Sequence, residues 1–68
     1  MLDKLDKKTI QEIISVSNHD TEESVLNFFE SGALEVYPNK HSYLEAGWTF
    51  EDENSYSILS DGKVVYFE

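Results

Sequence analysis

The spacing of apolar residues changes character near residue 33. Before it, Ile10, Ile13 and Ile14 fall at i, i+3 and i+4, a single stripe along a helix. Val25, Leu26, Phe28 and Phe29 mark the core face of a second helix. After residue 33 the period drops to two. Leu34 and Val36 alternate with Glu35 and Tyr37 as in a short strand, which Pro38-Asn39 breaks.

Local signals place the helix ends. Asp6 is a good N-cap, and Leu5 with Ile10 matches a hydrophobic staple across the first turn. Ser15, Ser17 and Asn18 weaken the first helix and end it near residue 16. Asp20 is expected to cap the second helix, with Glu23 as its capping-box partner and Glu22 also at the positive helix end. Gly32 falls where a left-handed residue closes a helix.

Further on, Ser42 to Ala46 predicts one helical turn closed by Gly47, and Trp48-Thr49-Phe50 reads as β-prone. Glu51-Asp52-Glu53-Asn54 is an acidic turn. Tyr56 to Leu59 and Lys63 to Phe67 flank Ser60-Asp61-Gly62, a strong hairpin signal. Helices followed by strands predict one α+β domain over residues 1–68. An N-terminal helical pair packs on a small antiparallel sheet of three to four strands with a C-terminal hairpin.

Charge narrows the choice of partner. Fourteen Asp and Glu face five Lys and no Arg, a net charge of −9. Residues 1–8 carry +1 and residues 9–68 carry −10, with twelve acids in the latter. Such a surface is drawn to basic surfaces and repelled by nucleic acid and anionic membrane. A reading helix bearing Glu22, Glu23 and Glu30 without Lys would meet phosphate repulsion instead of gaining counterion release, so direct nucleic-acid binding is not expected. No apolar run is long enough for a membrane span. With no Cys there is no disulfide framework or thiolate metal site, and a cytoplasmic location is expected. The bias toward Lys, Asn, Ile, Tyr and Phe suggests an AT-rich source such as a low-GC bacterium or its phage.

Candidate chemistry is sparse. In His19-Asp20-x-Glu22-Glu23 the His precedes the helix, so the ligands do not share a helical face, and a cap with dipole-favoured acids is expected. The acidic turn lacks an EF-hand's glycine, because the sixth position from Asp52 is Ser57. His41, Ser42 and Tyr43 are adjacent and do not converge on one atom, and the three glycines form no phosphate loop. No metal, cofactor or enzymatic activity is expected.

Residues 10–32 faintly resemble the first two helices of a ubiquitin-associated-type module, through Phe28-Phe29-Glu30-Ser31 closing a helix after a short polar loop. That resemblance covers a third of the chain, and the β-rich tail departs from it.

Two functions remain. The first is a protein-binding module, an interaction or regulatory subunit whose acids mainly solubilise it. The alternative is a phage- or mobile-element-type acidic antagonist that imitates nucleic acid in the basic cleft of a processing enzyme. The candidate partner-binding residues are Glu51, Asp52 and Glu53 on the turn, Glu35 on the first strand, and Glu22, Glu23 and Glu30 on the second helix. Tyr37 and Tyr56 are candidate aromatic anchors beside them. The partner is a protein, with a basic surface under the antagonist reading.

Overall fold

A computed structural model describes residues 2–68. The element order is α1 (Lys7–Val16), α2 (Glu22–Ser31), β1 (Leu34–Tyr37), α3 (Lys40–Glu45), β2 (Tyr56–Ile58) and β3 (Val64–Phe67). The fold is α+β, as the change of period predicts.

The first helix starts where expected: Asp6 accepts from the Thr9 N–H at 2.8 Å. The second starts one residue later than expected. Thr21, not Asp20, is its N-cap, accepting from the Ser24 N–H at 3.1 Å. Thr21 has the extended backbone an N-cap needs, so Glu22 and Glu23 fall in the first turn and no capping box forms. Gly32, at φ 86°, closes α2 as foreseen. Its N–H donates to the Phe29 carbonyl and that of Ala33 to Phe28, pairing carbonyls the helix end would otherwise orphan.

The sheet has three strands in the order β1-β3-β2, both pairs antiparallel. β3 is central, and its sequence Val64-Val65-Tyr66-Phe67 is apolar on both faces. α1 and α2 cover one face. There Ile10, Ile13, Val25, Leu34, Val36, Leu59 and Val65 form the main core.

The other face is also covered. Tyr37, Tyr43 and Val64 are buried there beneath Trp48, Phe50, Tyr56 and Tyr66. The β-prone Trp48-Thr49-Phe50 segment is therefore a cover rather than a fourth strand. Trp48 stacks on Tyr66 with centroids 4.0 Å apart, and Phe50 packs against Tyr43 and Tyr56. The segment's aromatic side chains dock on the sheet's face, while β1 and β2 already occupy both sides of β3.

The hairpin closes through a three-residue loop. The Gly62 N–H donates to the Leu59 carbonyl (3.0 Å) and the Leu59 N–H to the Lys63 carbonyl (2.8 Å), with Gly62 at φ 93°. Glu12 of α1 ties this loop to the helical layer, accepting from the Ser60 hydroxyl at 2.6 Å and its N–H at 3.1 Å. No helix among the described residues is long and apolar enough to cross a membrane.

Candidate functional site

An open groove of about 820 Å³ lies on the helical side of the sheet, at the corner next to β2. It follows from the residues facing that layer. Antiparallel pairing puts Ser57 opposite Val65 on the helical face. Alternation puts Ser55 and Leu59 on the same face, and of these three only Leu59 is large enough to fill the core. The corner over Ser57 is left open, bordered by Phe67, Val16 and Phe28.

One wall is the end of α1 and the loop that follows. The Ser17 hydroxyl donates to the Ile13 carbonyl at 2.6 Å and accepts from the His19 N–H at 3.3 Å. His19 meets Phe28 edge-on with centroids 4.5 Å apart, and its Nδ1 lies 2.7 Å from the Ser24 hydroxyl. These contacts hold the loop against α2. Val16 and Phe28 nonetheless stay 43% and 46% exposed.

The acidic turn makes the facing wall. Asp52 is the residue that shapes it, accepting from the Asn54 N–H at 3.0 Å and the Ser55 hydroxyl at 2.7 Å. The Ser55 bond, with the Asn54 bond adding to it, holds the Asp52 carboxyl below the usual aspartate range. Its charge is thus committed to the local turn. Glu51 and Glu53 are exposed, and Glu53 lines the groove. No Lys lines it. Lys7 and Lys8 lie at the far end of α1, roughly 13 Å away at 1.5 Å rise per residue.

The remaining candidates are dispersed. Glu35 lies on the sheet face opposite the helices, where it accepts from the Tyr37 hydroxyl at 2.5 Å. Glu22 turns toward α1 and accepts from the Gln11 amide at 2.9 Å. Glu23 and Glu30 are exposed on the outer side of α2. The seven acids therefore do not share one face.

Neither tyrosine is a free anchor. Tyr37 is 3% exposed. Its strand alternates as expected, but α3 and the 48–50 segment cover the side to which it points. Tyr56 is half-buried, packed on Phe50 and donating to the Phe50 carbonyl at 3.3 Å.

The aromatic residue exposed at the groove is Phe28, which the sequence pattern assigns to the core. A signal for its exposure was present. At 3.6 residues per turn, Val25, Leu26, Phe28 and Phe29 spread over about 160° of the helix, with Phe28 at one margin. Serine at both 55 and 57 likewise signals an unfilled corner.

Compared with known proteins, the chain matches no family model, no curated protein and no solved structure.

Proposed function

We propose that the protein is a small, non-enzymatic protein-binding module, an interaction or regulatory subunit working in the cytoplasm. The observation that carries this reading is the exposure of Val16 and Phe28 together at one groove. Burying the part of each side chain still exposed contributes about 1 kcal/mol, before the cost of association. The acids serve mainly as a solubilising coat in this reading, and their division between the two sides of the sheet supports it. The nucleic-acid mimic would need a continuous negative row, which the positions of Glu35 and of the α2 acids do not favour.

The test is a pull-down from bacterial lysate at low salt and at high salt. It uses the wild type, Phe28→Asp and the double variant Glu51→Lys/Glu53→Lys. The module retains its partner at high salt and loses it in Phe28→Asp, while the double variant weakens retention without abolishing it. A partner lost on raising salt, and lost in the double variant, would replace this reading with the antagonist. No retained partner at either salt would overturn both.

A further inference from the structure

The geometry points to β2 as the docking edge for a partner's extended basic segment, which pairs with it as a fourth, antiparallel strand and places one apolar side chain in the groove. This inference rests on the protein-binding reading and names its site and its occupant.

The two edges of the sheet differ. The outward carbonyl of Val36 on β1 accepts from the Leu2 N–H at 2.7 Å, so the chain's own N-terminal segment covers that edge. Among the described residues β2 has no such cover. The Phe67 N–H donates to the Ser55 carbonyl and the Leu59 N–H to the Lys63 carbonyl, both at 2.8 Å. Ser55, Ser57 and Leu59 thus direct their backbone groups toward β3, and alternation directs those of Tyr56 and Ile58 outward. Among the described residues no backbone group bonds to them. Unpaired strand edges are templates for strand addition. Ile58, 44% exposed, lies on the same edge.

Register decides what the added strand presents. Its bonded positions lie opposite Tyr56 and Ile58, so the residue between them lies opposite Ser57 in a close, non-bonded pair. That side chain falls on the helical face, where Ser57 is small and Val16 and Phe28 are exposed. An apolar residue fills this position.

Charge selects the rest of the segment. Glu53 lines the groove, Glu51 lies two residues before it, and no Lys lines the groove. The C-terminal end of α1, with its partial negative charge and no basic residue in its last turn, forms the other wall. Lysine or arginine on the side toward residue 53 meets both. A second copy of this chain would bring two acidic turns of a −9 molecule together instead.

The probes are blocked peptides of sequence Thr-Val-Thr-X-Thr-Lys-Lys, with X as Leu, Ile or Phe, and counterparts ending in Glu-Glu. They are titrated into the isotope-labelled full chain and followed by amide NMR and hydrogen exchange. The lysine peptides are expected to bind at least tenfold more tightly than the glutamate ones and to slow exchange at Tyr56 and Ile58 at least tenfold. Ile58→Pro, which removes one outward N–H, is expected to weaken binding at least tenfold. So is Ser57→Phe, which fills the groove and keeps the proposal testable if the proline variant does not fold.

Equal affinity for the two charge sets, no binding by any peptide, or binding without slowed exchange at Tyr56 and Ile58 would overturn the proposal. So would protection of these amides that grows with protein concentration alone, which would assign the edge to a second copy. A lysate partner that is retained but leaves the two amides unprotected overturns the edge while the module reading stands. Loss of every lysate partner overturns that reading, and the peptides still judge the edge.

Discussion

The Trp48 indole N–H donates to the Tyr37 hydroxyl at 2.8 Å, and that hydroxyl in turn donates to Glu35. The chain of bonds fastens an irregular segment to the first strand across eleven positions of sequence. It also gives a buried phenol both an acceptor and a donor, as a polar group out of water requires. Tyr37→Phe removes the hydroxyl and leaves the indole N–H and the Glu35 carboxylate to find other partners. The expected cost is about 1–3 kcal/mol, read from denaturant unfolding followed by Trp48 fluorescence. An unchanged midpoint would mean that stacking on Tyr66 alone holds the segment.

Gly62 tests the hairpin. A Cβ there would meet nothing within 4 Å, so a substitution is penalised through the backbone alone. Gly62→Ala is expected to cost about 1 kcal/mol, lowering Tm by about 4–8 °C for a domain of this size. Gly62→Asn, which tolerates the left-handed region better, should lose less. Equal losses for the two variants would point to a cause other than φ.

Burial, reinforced by the bond to Glu35, raises the Tyr37 phenol above its ordinary value, and burial chiefly raises that of Tyr43. Both folded values lie above the unfolded value of about 10. The stability they contribute is fully present below about pH 10 and is lost as pH rises through the folded values. Unfolding midpoints should therefore drop above about pH 10, and Tyr37→Phe should flatten part of that decline. Midpoints independent of pH in the alkaline range would contradict the assigned burial.

Raising NaCl from low concentration to about 0.5 M is expected to raise Tm, because screening at a Debye length of a few ångströms relieves repulsion among exposed acids. The five Lys offset little of it, and Lys63 is already paired with Asp61. A falling Tm would show that local bonds such as those of Asp52 and Glu12 outweigh the general repulsion.

The hairpin glycine, the closing Gly32 and the Asp6 cap are readable in the chain because each acts within a few residues of itself. The same is true of the stripe of Ile10, Ile13 and Ile14, and together they determine an α+β domain. The second cap is Thr21 rather than Asp20: both residue types are competent caps, and only the folded backbone shows which hydroxyl or carboxylate meets a first-turn N–H. What only the tertiary structure decided depends on residues far apart. β3 lies between β1 and β2 because its apolar run can be covered on both faces. Trp48-Thr49-Phe50 covers the sheet instead of extending it because its rings find Tyr66, Tyr43 and Tyr56 there. The groove exists because Ser57, Val16 and Phe28 meet at a corner that no side chain fills; the margin position of Phe28 and the serines at 55 and 57 hint at it separately, but only packing across the fold brings them together.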